Sequence, residues 1–270
     1  MSAKVRALII TGFGLNCERE THAAFTLVGA EAVLVHLNDL LAEPEQLQSS
    51  QILVFIGGFS YGDHLGAGMV FANRLKHSFR PQLERFIADG KLSIGICNGF
   101  QTMTRLGLLP GLNGQYFTPQ AALAHNDQGV FRDAWITVRG NPRSPCVFTR
   151  DLEMLPLPVR HGEGKFIARD AASLAELERR ELVALRYVDP ETGEATQDFP
   201  ANPNGSTNAI AGICDPSGRL FGLMPHPEAY LSPYNHPHWQ RQKINGVLPA
   251  EGLGARIFRN GVEFAARNLL

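Results

Sequence analysis

A cysteine set between two glycines is the chain's first candidate for chemistry. In L-S-I-G-I-C-N-G-F-Q, Leu92 to Gln101, Cys97 lies between Gly95 and Gly99. A short apolar run precedes it, and from Phe100 to Leu109 the residues Met103, Leu106 and Leu109 fall at the core spacing of a helix. Strand, tight turn and helix, with a nucleophilic atom at the turn, is the arrangement of a nucleophile elbow. Small flanking residues let the backbone turn sharply. The helix start offers unpaired N–H groups and a positive dipole end, a setting that favours the thiolate, the form that attacks carbonyls. On this element alone, a nucleophile and a buried core cysteine fit about equally well.

A second group decides between them. In M-P-H-P-E, Met224 to Glu228, His226 follows the largely apolar run Leu220 to Met224 and has a carboxylate two residues on. A cysteine nucleophile needs a base to take and return its proton, and the base needs an orienting acid. In an extended segment His226 and Glu228 would project to one face and act as a unit. Without the elbow, His-x-Glu reads as a solvated loop.

Other residues could serve that chemistry. Ile56 to Asp63, I-G-G-F-S-Y-G-D, is a glycine-rich loop after a strand; it lacks both the lysine of a P-loop and the G-x-G-x-x-G spacing, which excludes a nucleotide site. Beside a thiolate it would supply one oxyanion donor, with the Asn98 amide as the other. His161, in H-G-E-G within a strand-like run from Val159 to Ile167, is by itself a structural or surface histidine. His236-Pro237-His238 has no carboxylate or cysteine cluster to support a metal site and reads as loop. Cys17, in G-L-N-C-E-R-E, also precedes a helix but lacks a glycine frame; Asn16 and Cys17 are expected to cap that helix or line the sheet edge.

The elements that would carry these residues alternate in the first half. Val5 to Thr11, Ala32 to Leu37, Ile52 to Ile56 and Leu92 to Ile96 read as strands. Glu18 to Val28 reads as a helix, as does Val70 to Asp89 with a break near Pro81. Continuous apolar strands suggest coverage on both faces, and β-α-β-α order implies a parallel sheet. Further on, Gln115 to Phe117, Ala134 to Val138, Val159 to Ile167 and Leu182 to Val188 look like strands, and Ala171 to Glu181 like a helix. Ala209 to Cys214 and Arg219 to Leu223 form a hairpin through D-P-S-G, which delivers His226. Tyr230 to Pro249 reads as loop and Gly252 to Leu270 as an amphipathic helix. No repeat or linker interrupts the chain, so one domain is expected over 1–270, with an extended C-terminal loop and helix over 229–270.

Bulk properties narrow the class. With 270 residues, 44% hydrophobic, 19% charged and a net charge of −1, the chain has ordinary globular composition and no electrostatic footprint for nucleic acid or an anionic membrane. Four cysteines (17, 97, 146 and 214) with no C-x-x-C pair argue against structural zinc and a disulfide framework, and make a reducing cytoplasm the simpler home. The N-terminal apolar run is too short for a signal peptide, and no segment approaches a membrane helix.

The elbow with its distant H-P-E is similar to the class I glutamine amidotransferases, which carry a Cys–His–Glu triad. G-L-N-C-E-R-E, G-G-F-S-Y-G-D, V-R-H-G-E-G-K-F and N-P-N-G-S-T-N-A-I-A-G-I-C narrow the resemblance to the glutaminase subunits of phosphoribosylformylglycinamidine synthase. The resemblance implies an open, mostly parallel α/β sheet of flavodoxin-like type with helices on both faces. It implies Cys97 as nucleophile, His226 as base and Glu228 as its orienter, with Gly58, Phe59 and Asn98 at the oxyanion loop and elbow. Gln101 and the segment around His161 would hold the α-groups of L-glutamine. The ammonia would pass to a synthetase subunit; whether a third small subunit joins the complex stays open. ATP and Mg2+ would be used by that partner, with no cofactor or metal in this chain. The 42 residues after Glu228 exceed what the resemblance leads one to expect of a stand-alone subunit and resemble the fused, single-chain form. Two rivals stay open: a flavodoxin-like cysteine hydrolase or deglycase, which needs no H-P-E, and a binding module, which would be expected to have lost a triad residue.

Overall fold

Continuous apolar runs become the centre of a nine-stranded sheet. The computed structural model describes residues 4–270. Its strands are β1 (Arg6–Thr11), β2 (Glu31–His36), β3 (Ile52–Phe55), β4 (Leu92–Ile96), β5 (Ala121–Ala124), β6 (Arg132–Gly140), β7 (Met154–His161), β8 (Lys165–Ala168), β9 (Val183–Val188), β10 (Ile210–Cys214) and β11 (Leu220–Leu223). The helices are α1 (Glu18–Leu27), α2 (Leu37–Ala42), α3 (Met69–Ser78), α4 (Arg80–Ala88), α5 (Asn98–Leu106), α6 (Ala171–Arg179), α7 (Trp239–Ile244) and α8 (Ala255–Asn268). No helix among the described residues is long and apolar enough to cross a membrane.

The large sheet runs β2-β1-β3-β4-β11-β10-β9-β6-β7, and β5 pairs with β8 apart from it. From β2 to β11 all pairs are parallel; from β11 to β7 all are antiparallel. The flavodoxin-like parallel half is thus the expected α/β fold, extended by an antiparallel half. Every residue of β3, β4, β10 and β11 is buried, as strands covered on both faces must be. The helical segment after β3 breaks at Phe79, with Pro81 in the first turn of α4 where its missing N–H costs nothing.

Several expectations are corrected. Gln115 to Phe117 is turn, not strand: Asn113, Gly114 and Phe117 all have positive φ, and pairing begins only at β5. Val159 to Ile167 is not one strand, because Gly162 to Gly164 separate β7 in the large sheet from β8 in the small one. The helix after the elbow starts at Asn98 and stops at Leu106, where Gly107 takes the left-handed C-cap conformation. Residues 230–249 hold α7, a short turn of helix none of whose residues is buried.

Candidate active site

Four chain segments at the carboxyl ends of neighbouring parallel strands converge on Cys97, the location where open α/β sheets place their ligands. They follow β1, β3, β4 and β11. The elbow itself is strained. Cys97 has φ 51° and ψ −106°, a conformation that a side-chain-bearing residue adopts only when its surroundings enforce it. The flanking glycines are there for a different reason from the expected one. Neither lies in the left-handed region; instead a Cβ on Gly99 would collide with the Phe55 carbonyl of β3, and one on Gly95 with Met103 and Gly99. They let the strand and α5 close together, and Cys97 makes the turn.

The resulting thiol is 5% exposed and points toward the Arg160 carbonyl, 3.5 Å away. His226 and Glu228 arrive on the far end of β11. His226 stands at the entry to a short turn of helix rather than in an extended segment. Its Nδ1 nevertheless lies 2.6 Å from Glu228 Oε1, with the two side chains 3% and 1% exposed. Burial works against a charge on this imidazole. The Glu228 carboxylate, Cys97 and Cys17 together outweigh it, and His226 is held well above the usual histidine range. Nδ1 being committed to Glu228, Nε2 is left without a hydrogen-bond partner among the described residues.

Cys97 borders two cavities of about 190 Å³ each. One is lined by Asp63, Gln101, His125, His161 and Glu163, among others, and excludes His226. The other is lined by Asn16, Cys17, Glu20 and His226. Gly58, Phe59, Phe131 and Arg160 border both.

The remaining expected residues fall as follows. The Gly58 N–H makes no backbone hydrogen bond among the described residues, whereas the Phe59 N–H is used by the Gly14 carbonyl at 2.9 Å; Phe59 contributes its ring, 44% exposed, to the cavity mouth. Strain marks this loop too, with φ positive at the side-chain-bearing Tyr61 and Asp63. The Asn98 side chain is fully buried and donates to Asp63 and Gln101, each at 3.0 Å. Gln101 donates in turn to the Glu163 carbonyl at 2.5 Å. His161 is buried between Asn126 and Asn204. Burial first, then the nearby His226, lowers its pKa to about 3, so it is a neutral wall of the cavity.

Sequence reasoning passed over Asp63, His125, Arg160 and Glu163, although three of them sit inside motifs it had singled out. Cys17 is the N-cap of α1 at the sheet edge, as expected, but makes no side-chain capping bond; what the sequence did not show is that its thiol lies beside His226 and Glu228. Burial pushes the Cys17 thiol up, and the neighbouring His226 works against it. Gly57 is what leaves room for this contact, since a Cβ there would stand 2.9 Å from His226 Cε1 and 3.0 Å from Cys17 Sγ.

A buried thiol at a strained elbow with a carboxylate-held imidazole can carry out acyl transfer. The comparisons agree in kind. Residues 4–265 match the model of the CobB/CobQ-like glutamine amidotransferase domain. The chain belongs to this glutamine amidotransferase family. It is 43% identical over 265 residues to phosphoribosylformylglycinamidine synthase subunit PurQ of Dehalococcoides mccartyi, covering 97% of this chain and 98% of that one. It is 41% identical to the subunit of the same name from Methanococcus maripaludis, covering 96% and 97%. Among solved structures, PurLQS from Thermotoga maritima aligns with a TM-score of 0.70 at 29% identity, covering 97% of this chain and 99% of that one. The near-complete mutual coverage corrects the reading of the C-terminal extension. These relatives are separate subunits of matching length, so the residues after Glu228 do not set the chain apart from them.

Proposed function

We propose that this chain is the glutaminase subunit of a phosphoribosylformylglycinamidine synthase, using Cys97, His226 and Glu228 to hydrolyse L-glutamine and supply ammonia to a synthetase subunit. The observation that carries the reading is the convergence of a strained, buried elbow thiol with an imidazole whose outer nitrogen is fixed by a buried carboxylate at 2.6 Å.

Glutamine enters the cavity walled by Asp63, Gln101, His161 and Glu163. Its α-ammonium finds carboxylates there, and its side-chain amide carbon reaches Cys97. The sulfur attacks with its proton held on His226, and the amides of Gly58 and Asn98 donate to the developing oxyanion. His226 then protonates the leaving nitrogen, and the tetrahedral centre collapses to a γ-glutamyl thioester and ammonia. Since His226 borders only the second cavity, the nitrogen leaves on that side. A water activated by His226 cleaves the thioester to glutamate and restores the thiol. Glu228 stabilises the imidazolium at each step. None of these steps requires a metal or nucleotide on this chain; ATP is the partner's reagent.

A partner fits the surface around the mouth. Phe59, Leu65, Val130 and Phe131 are between 44% and 68% exposed, and Phe59 and Phe131 border both cavities. An apolar rim of this kind marks an interaction site, and covering it would seal the ammonia from solvent. The test is ammonia release from glutamine, with and without a co-expressed synthetase subunit. Cys97→Ala is expected to lower glutamine-dependent turnover by about 10³-fold or more while synthesis on added ammonium persists. A Cys97→Ala chain that keeps its glutaminase, or a free chain unaffected by the partner, would return the reading to a stand-alone hydrolase.

A further inference from the structure

The mechanism leaves one buried reactive group unused. Cys17 is 6% exposed, and its thiol has only a long contact of 3.5 Å to Asn16 Oδ1. Its Sγ, a nitrogen of His226 and a carboxylate oxygen of Glu228 all lie within 4.8 Å of one another. The buried His226 Nε2 and Glu228 Oε2 have no hydrogen-bond partner among the described residues. Cys97, outside that triangle, opens on the same cavity as Cys17 and His226. Two thiols and one open imidazole nitrogen therefore share a small, water-accessible space.

We propose that Cys17, His226 and Cys97 form a site for a thiophilic divalent cation of the Zn2+ class, whose occupancy switches the glutaminase off. The donor set selects the metal. Thiolate and imidazole suit Zn2+, Co2+ and Cd2+, whereas Mg2+ and Ca2+ require oxygen ligands. Zn–S and Zn–N bonds of about 2.3 and 2.0 Å place ligand atoms some 3.5 Å apart, so Cys17 Sγ and the His226 nitrogen, now within 4.8 Å of each other, need inward movements on the order of 1 Å, and the Cys97 thiol must turn from the Arg160 carbonyl into the cavity the three residues share. The buried carboxylate on Nδ1 is the support that metal-bound histidines use, fixing the tautomer that presents Nε2 to the ion. In binding, the two sulfurs and the imidazole Nε2 give up the protons they hold to solvent, and the cation exchanges water for two thiolate sulfurs and one neutral nitrogen. A water completes the tetrahedron, and no oxidant is involved. Occupancy removes both the nucleophile and the base from the reaction. That inhibition rests on the function proposed above; the binding does not.

The test is made on the full chain with its synthetase partner. One equivalent of Co2+ should give a thiolate-to-cobalt charge-transfer band and intense tetrahedral d–d bands, whether or not the protein is active. Zn2+ should displace the cobalt, stop ammonia release and be reversed by EDTA. Cys17→Ser should halve the charge-transfer intensity and, measured against its own metal-free rate, raise the half-inhibitory Zn2+ concentration by about 100-fold. That is the upper end of what losing even an outer-shell partner costs. In the unmodified protein, Zn2+ should also protect Cys17 from alkylation, a readout that needs no variant. An absent thiolate band, Zn2+ inhibition unchanged in Cys17→Ser, or Cys17 alkylated equally with and without Zn2+ would each overturn the site. Failure of Cys97→Ala to lose glutaminase would overturn the proposed function while leaving the cobalt spectrum readable.

Discussion

Replacing Glu228 by Gln exchanges one carboxylate oxygen for an amide nitrogen and removes a charge, in a pair buried to within a few per cent. The Gln carbonyl can still accept from His226 Nδ1–H, so the tautomer and the ring's place survive. What is lost is the charge assistance at a hydrogen bond of 2.6 Å. Hydrogen bonds to charged groups contribute about 1.5–3 kcal/mol. This one strengthens as the imidazolium forms, so the loss falls on the transition state. At about 1.4 kcal/mol per tenfold, kcat/KM should drop by roughly 10- to 150-fold. Glu228 does not touch the glutamine cavity, so kcat takes the loss and KM stays.

The pH profile gives a second, independent reading. Burial opposes the charge on His226, and Glu228 is the largest of the influences that raise it. In Glu228→Gln burial prevails and the imidazole's pKa falls. The protonated acid is then lost at lower pH, so the alkaline limb of kcat/KM should move toward neutrality. The stability linked to His226 protonation follows the same sign. It is fully present below the unfolded histidine value near 6.5 and is lost as pH rises through the raised folded value; the variant should lose this alkaline dependence. Ammonia release measured across pH for both proteins decides it. A variant within twofold of the parent, with its alkaline limb unmoved, would refute the role of Glu228.

Gly99→Ala should destabilise the protein by about 3 kcal/mol or more, the upper range for overpacking, because its Cβ meets the Phe55 carbonyl rather than a movable side chain; a thermal midpoint within a degree of the parent would contradict the elbow's packing. His161, lowered to about 3 by burial and by His226, stays neutral in the fold but gains a proton on unfolding below about 6.5. Between pH 7 and 5 it should therefore cost about 2 kcal/mol of stability. His161→Gln should flatten that part of the curve, which urea unfolding at several pH values would show.

The parallel half of the fold was legible because β1 and β3 are apolar runs closed by Gly12 and Gly57, β4 is a short apolar run leading into the elbow, and the connecting segments have helical period or a proline break. The antiparallel half was harder to read. Gln115 to Phe117 has strand composition, but Gly107, Gly111 and Gly114 force turns around it. In H-G-E-G, His161 ends one sheet and Lys165 begins another, a change of partner that local pattern does not record. The H-P-E spacing pointed to the pairing of His226 with Glu228, although a helical turn rather than an extended strand brings the two together.

Cys17 shows why a site can be invisible at the level of spacing. It is 80 residues from Cys97 and 209 from His226 in the chain, and only the order of strands in the sheet makes them neighbours. Beside β1 lies β3, then β4, then β11; the loops that leave these strands carry Cys17, Gly57, Cys97 and His226 to one edge. Gly57, which in sequence is half of a glycine pair, is what keeps the second thiol in contact with the imidazole. The same parallel order that places the proposed base beside the proposed nucleophile thus places a further thiol beside the imidazole. On this reading, catalysis and inhibition by thiophilic metals would both follow from one topology.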